Sequence, residues 1–163
     1  MRESIVDMLK RHEGLRLKPY LCPAGKLTIG VGRNIEDRGF DAEEKEKLFG
    51  NANIKPKDYI ERLDRDGITE DQAMYLLRND ISQCMTKLRA TVQYFDKLSE
   101  ARQDVLINLC FNMGLAGLMD FRKMFAAMKD GKYEEASDEM IRSRWAQQVG
   151  VRASELSGMM RKG

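Results

Sequence analysis

Apolar positions near the start of the chain recur at helical spacing. Ile5, Val6 and Leu9 form an i, i+1, i+4 stripe, and Gly14 is a natural stop behind it. Between Arg16 and Asn34 the period changes. Leu27-Thr28-Ile29-Gly30-Val31-Gly32 alternates β-branched residues with small ones, and Pro23-Ala24-Gly25 before it is turn chemistry. The pattern predicts a small β-hairpin or meander there. Asp41-Ala42-Glu43-Glu44 reads as a capped helix start closed by Gly50, and Lys55-Pro56 opens another short helix that ends at Asp66-Gly67. Thr69-Glu70-Asp71-Gln72 is a capping-box pattern. It begins a long helix in which Ala73, Leu76, Leu77, Ile81, Cys84 and Leu88 recur, with no break before Thr91.

Helical spacing continues behind it. Ser99 caps a helix with the most apolar stripe in the chain, Val105, Leu106, Leu109, Cys110 and Met113, and Gly114 and Gly117 are expected to end it. Phe121 to Met128 predicts a further helix, Asp130-Gly131 a tight turn, and Tyr133 to Trp145 the last strong helix. Most of the 11 methionines fall on these stripes, as gap-filling core residues do. The implied class is α+β and predominantly helical, with two lobes. A small α/β lobe covers about residues 14–68, and a connecting helix about 69–91. A helical lobe is formed by about 92–163 together with the N-terminal helix, all within one domain spanning 1–163.

Composition narrows the function. The chain has 163 residues, enough to bury a core without disulfide or metal staples. Residues 1–81 carry 15 basic and 16 acidic side chains, and residues 82–163 carry 13 and 10. That asymmetry is too mild for a nucleic-acid platform, though the basic excess behind suits a polyanionic surface. The three cysteines, Cys22, Cys84 and Cys110, are odd in number and far apart, which argues against a disulfide framework. One histidine with no close Cys/His pair argues against zinc, and no metal or cofactor is expected. The longest oily stretch, Val105 to Phe111, includes Asn108 and is far short of a membrane span. The first fifteen residues contain no secretory apolar core, so a soluble, cytoplasmic, monomeric protein is expected.

Glu13 stands out among the candidate chemistry. It ends the first helix, where the macrodipole places partial negative charge and disfavours a carboxylate. An acid held there has reason for a raised pKa, which suits a general acid; a solvated glutamate is the bland alternative. Cys22 lies nine residues on and Thr28 six beyond that. A hairpin folding back on the helix end brings all three to one cleft, whereas packing and strand propensity explain Cys22 and Thr28 taken singly.

At this point the chain resembles a known family. Glu13-Gly14-Leu15-Arg16-Leu17-Lys18, then Tyr20, Gly25 and Thr28-Ile29-Gly30-Val31-Gly32, are similar to the signature of the phage-type lysozymes, the endolysins of tailed phages. That family's pattern is Glu, eight residues, Asp or Cys, five residues, Thr, and Glu13, Cys22 and Thr28 fit it. The likeness continues in Ile107-Asn108-Leu109-Cys110-Phe111-Asn112-Met113-Gly114 and in Ser143-Arg144-Trp145 with Arg152 following. The stretch from Ile35 to Gly67 and the tail after Arg152 match least.

The resemblance implies hydrolysis of the β-1,4 bond between N-acetylmuramic acid and N-acetylglucosamine in peptidoglycan glycan strands. Glu13 is the implied acid, with Cys22 and Thr28 positioning the attacking water by an inverting route. It also implies that Arg152 pairs with Glu13, which opposes a raised pKa and leaves the sign of the shift open. Phe111 and Asn112 are implied to face the sugar cleft, although core packing explains Phe111 equally well. Gly30 and Gly32 would admit the glycan close to the backbone, or simply serve turns. Trp145 reads better as a packed ring than as a sugar platform. A cytoplasmic enzyme of this kind would reach the wall through a pore made by another protein. Two rivals remain at this point: a lytic transglycosylase relying on Glu13 alone, and a wall-binding relative without catalysis.

Overall fold

The structure, a computed structural model, describes residues 2–163. It is 67% helical with one small antiparallel sheet among the described residues, the expected α+β class. The chain divides into two compact units, Met1–Asp80 and Ile81–Gly163.

In the first unit, α1 (Ile5–Glu13) is capped by Ser4, whose hydroxyl accepts the Asp7 amide at 3.1 Å, and stops at Gly14 with φ 78°. Strands β1 (Arg16–Leu21), β2 (Leu27–Gly30) and β3 (Arg33–Asn34) form a meander in that order. The register pairs Tyr20 with Thr28 and Thr28 with Asn34, so these three side chains share one face of the sheet. Ile29 and Arg33 pair on the other face, and both are buried.

The helices α2 (Ala42–Phe49) and α3 (Pro56–Asp66) begin where the caps predict, and Asp41 with Glu44 forms a complete capping box. Gly67 must be glycine: its φ is +67°, and a Cβ there would come within 2.5 Å of the Leu17 carbonyl oxygen. That close approach brings β1 against the turn behind α3, where the Ile68 amide donates to the same carbonyl at 2.8 Å. The core of this unit gathers Ile29, Ile35, Leu63, Ala73 and Leu76 around a trio of rings, Phe40, Phe49 and Tyr59. Ring centroids in that trio lie 5.1–5.8 Å apart.

The long helix α4 (Glu70–Thr91) starts on a reciprocal box: the Thr69 hydroxyl accepts the Gln72 amide, and the Gln72 side chain accepts the Thr69 amide. All six predicted stripe residues are buried. After a single 3₁₀ turn (Phe95–Lys97) the second unit contains α5 (Glu100–Met119), α6 (Arg122–Lys129), α7 (Tyr133–Ile141), α8 (Arg144–Val149) and α9 (Val151–Lys162).

Two sequence expectations need correcting in this unit. Helical geometry breaks at Gly114 (φ 77°, ψ 164°) as expected but resumes through Gly117 to Met119, because Gly117 packs on the Met113 side chain instead of terminating the helix. The helix expected from Tyr133 to Trp145 ends at Ile141. Ser143 caps a new one, accepting the Ala146 amide at 3.2 Å, so Trp145 sits on α8. The helix α9 was not anticipated, yet it packs against α5, α7 and α8 and buries Ala153, Leu156, Ser157 and Met160. Ser137 of α7 donates to the Ser157 carbonyl of α9 at 2.9 Å. Among the described residues no single helix is long and apolar enough to cross a membrane. Helices α5 and α6 pass that test only together and meet at a 98° bend, and the α5 stripe is core.

Candidate active site

Strand parity builds the site in the first unit. Tyr20 and Cys22 are two residues apart and so point to the same side, and Tyr20 lies opposite Thr28. Between them the chain turns over Cys22-Pro23-Ala24-Gly25. The Gly25 amide donates to the Cys22 carbonyl at 2.7 Å, and Gly25 takes φ +78°. One acceptor closes the loop: the Lys26 carbonyl receives the Cys22 amide at 2.9 Å and the Thr28 hydroxyl at 2.9 Å.

The turn sets the state of the Cys22 thiol. The Lys26 backbone amide is the largest influence and draws its pKa below the ordinary value; partial desolvation opposes this, and the Ala24 amide reinforces it. Thr28 also lies within hydrogen-bond reach of the sulfur. Its hydroxyl donates to the Lys26 carbonyl, so the backbone amides favour the ionised form of the thiol, and Thr28 itself is buried. Cys22 is partly exposed, as a reacting thiol requires.

Glu13 is the last residue of α1, half-buried, in a turn that also carries Lys10, Arg11 and His12. Lys10 pairs with Glu70 at 3.1 Å and Arg11 with Glu3 at 2.7 Å. The link from Glu13 to the sheet is Tyr20. Burial raises the pKa of this phenol most, the charges of Glu13 and then Cys22 raise it further, and Arg16 opposes them from 4.8 Å over the ring. The phenol therefore stays a neutral donor within electrostatic reach of both candidate groups. Sequence reading quoted Tyr20 in the motif without giving it a role. Its alternation with Cys22 was the available signal.

The remaining candidates behave differently. Gly30 is buried, and a Cβ there would touch Ala73 and Ile68 at 3.7–3.8 Å, so turn and packing explain it and glycan approach does not. Gly32 is half-buried in the β2–β3 turn with φ 69°. In the second unit, Arg152 places two hydrogen bonds on the Asn108 side-chain oxygen, at 2.7 and 3.0 Å. Asn112 is exposed and accepts the Trp145 indole N–H at 2.8 Å, and Phe121 stands edge-on to that indole at 6.2 Å. Trp145 is buried as expected. Asn112, Phe121 and Trp145 wall a groove of about 780 Å³ together with Arg144, Arg142 and Gln148, while Asn108, Arg152 and the half-buried Phe111 lie outside the wall. Among the described residues no three His, Cys, Asp or Glu side chains converge as a metal site would require.

A second polar assembly was missed by sequence reading. Arg33, on the core face of β3, binds Glu44 through two nitrogens and Asp80 through a third. Asn79 also donates to Glu44, and Arg38 to Asp80.

A helix ending in Glu, a meander carrying Cys and Thr at this spacing, and a predominantly helical remainder are the parts of a lysozyme-like protein. The phage lysozyme family matches residues 10–162, and the chain belongs to that family. Among its relatives are the probable T4-type lysozyme 1 of Dictyostelium discoideum (27% identical, covering all of this chain and 96% of the relative) and an endolysin of Acyrthosiphon pisum secondary endosymbiont phage 1 (28%, covering 98% and 90%). The pre-baseplate central spike protein Gp5 of Enterobacteria phage T4 is 30% identical over 94% of this chain, which spans only 27% of that protein's length.

Proposed function

We propose that the chain is a lysozyme that hydrolyses the β-1,4 bond between N-acetylmuramic acid and N-acetylglucosamine in bacterial peptidoglycan, with inversion at the anomeric carbon. The observation that carries this reading is the convergence of Cys22, Thr28 and the Tyr20 phenol on one sheet face, with Glu13 in electrostatic reach of Tyr20. Membership of the phage lysozyme family supports it.

In this mechanism protonated Glu13 gives its proton to the leaving glycosidic oxygen. A water on the opposite face of the sugar donates one hydrogen bond to the Thr28 oxygen, whose own proton is committed to Lys26, and another to the Cys22 sulfur. As water attacks the anomeric carbon, its proton passes to the Cys22 thiolate and onward to solvent. Arg152, anchored on Asn108, is the proposed supporting cation. Gly32, Phe111 and Asn112 are the proposed substrate contacts, and the cations of the groove beside Asn112 suit an acidic wall polymer. The enzyme is proposed to act as a monomer and to reach the wall through a pore made by another protein.

Lysis of permeabilised Gram-negative cells by the parent and by Glu13→Gln tests the reading. The amide is nearly isosteric but has no acidic proton, so a folded variant should lose lysis by at least about a hundredfold. A variant that kept most of the activity would remove Glu13 from the mechanism. New reducing ends in the digest distinguish hydrolysis from transglycosylation, which leaves an anhydro ring.

A further inference from the structure

The entrance to β2 is held from two sides through a single peptide group. Its carbonyl, that of Lys26, accepts the Cys22 amide and the Thr28 hydroxyl, each at 2.9 Å. Its N–H, that of Leu27, donates to the Glu36 carboxylate at 2.5 Å. The ladder leaves a place for a side chain there. Extending the β2–β3 register by one residue sets Leu27 opposite Ile35, and the Ile35 amide donates to the Leu27 carbonyl at 2.8 Å. The reciprocal bond is not made, because the chain coils after Asn34. The Arg38 amide donates to the Asn34 carbonyl at 3.0 Å, and the Gly39 amide to the Ile35 carbonyl at 2.9 Å. Glu36 therefore takes the place of a strand acceptor. Asp37 ties the same turn to β2, accepting the Asn34 side-chain amide at 2.9 Å and lying 3.6 Å from the Lys26 ammonium.

We propose that Glu36 is a positioning residue of the candidate active site: its carboxylate clamps the Lys26–Leu27 peptide and so fixes Cys22 and Thr28, which meet on the carbonyl of that peptide. This rests on the water-handling role proposed above for those two residues. It adds a group that the spacing of Glu13, Cys22 and Thr28 does not point to. A carboxylate suits the task, because a charged acceptor bonds an amide more strongly than a neutral one does. It also polarises the peptide, which strengthens the carbonyl as an acceptor for Cys22 and Thr28. A peptide plane held at both edges resists rotation. The Lys26 amide, one bond set back along the chain, then keeps its aim at the Cys22 sulfur.

Two readouts on the full chain test this. Glu36 is exposed, so replacing it leaves no cavity in the core. The first readout is the pH dependence of Cys22 alkylation by iodoacetamide, followed by peptide mapping, and it needs no lytic activity. In Glu36→Ala the Lys26 amide loses its fixed aim. The thiol should then ionise at higher pH than in the parent and react several-fold more slowly near neutrality. The sign is diagnostic, because deleting a negative charge and nothing else would favour the thiolate and shift the profile the other way. The other ionisable groups around the turn, Glu13, Arg16, Tyr20, Lys26 and Asp37, stay in place. The second readout is kinetic. On solubilised peptidoglycan, Glu36→Ala should lower kcat by roughly tenfold with KM nearly unchanged, since the water is misplaced and the glycan is not. Glu36→Gln keeps a carbonyl acceptor for the Leu27 amide and should bring both rates back to within about threefold of the parent. A thiol profile that stays put or moves to lower pH in Glu36→Ala would overturn the clamp. A profile that moves as expected beside an unchanged kcat would keep the clamp and remove Cys22 and Thr28 from the water step, so the two readings fail separately.

Discussion

Arg33 and Glu44 meet through two hydrogen bonds, at 2.7 and 3.1 Å, with each side chain only 1% exposed. Burial raises the pKa of Glu44, but the Arg33, Asn79 and Asp41 hydrogen bonds outweigh it and lower it from 4.5 to about 2. Arg33 is likewise penalised by burial and restored above its ordinary value by Glu44 and Asp80. A carboxyl group with a depressed folded pKa contributes stability that is present above pH 4.5 and lost as pH falls towards 2. Over that interval the parent should lose about 3 kcal/mol from this group. Glu44→Gln should cost about 3 kcal/mol at neutral pH, since it strands part of a buried guanidinium charge, and should lower Tm by roughly 6–12 °C. It should also flatten the stability curve between pH 4.5 and 2. Denaturant melts of both proteins across that range check this, and equal acid slopes would remove Glu44 as their source.

That assembly also shows where sequence reading stops. Capping chemistry and helical spacing are local, so the start of α2, both ends of α4 and the β meander were legible. Asp80 lies 47 residues from Arg33, and no periodicity links them. The helix α9 was hidden because Ser154, Ser157 and Gly158 dilute its apolar stripe, although Ser157 is buried on the Ser137 hydrogen bond. Ser143 looked like an interior residue of a longer helix and proved to be a cap. In the site, the spacing of Glu13, Cys22 and Thr28 was legible, but the role of Tyr20 was not. Its place opposite Thr28 depends on an irregularity of β1 between Arg16 and Tyr20, which alternation does not reveal.

Arg152 grips Asn108 with two nitrogens at once, a fixed fork that a shorter side chain does not reproduce. If the arginine supports the acid without donating the proton itself, Arg152→Ala should reduce lysis by about tenfold, well short of the loss in Glu13→Gln. The alkaline limb of the pH–rate profile, where a general acid loses its proton, should move as well. An unchanged rate and profile would show that the guanidinium is idle in the reaction.

Tyr20 gives a sharper handle because its phenol can be removed alone. Tyr20→Phe keeps the ring beneath Arg16 and deletes the hydroxyl on which the charges of Glu13 and Cys22 act. If the phenol donates to the substrate or to either group during the reaction, a hydrogen bond of about 1.5–3 kcal/mol is lost, and the rate should fall by roughly tenfold or more with little change in Tm. The pH–rate profile should shift as well, because a polar group beside the reacting residues is gone. A variant with a lower rate but an unaltered profile would assign Tyr20 to substrate packing instead.

Cys22 carries the boldest expectation. Its thiol lies partly exposed in the turn, while Cys84 and Cys110 are buried, so a small alkylating reagent should modify Cys22 first. The adduct would fill the place of the attacking water and abolish the thiolate, and activity should collapse in step with modification. Because the backbone amides lower the thiol's pKa, the rate should rise with pH through a value below the ordinary one for cysteine. Cys22→Asp replaces that group with one ionised above about pH 4, so the rising limb should move down by several pH units and neutral activity should be kept or increased. Cys22→Ala leaves only Thr28 to hold the water and should lose about one to two orders of magnitude. Peptide mapping run beside lysis assays decides the matter. Full activity in a preparation alkylated completely at Cys22 would show that the water step proceeds without it.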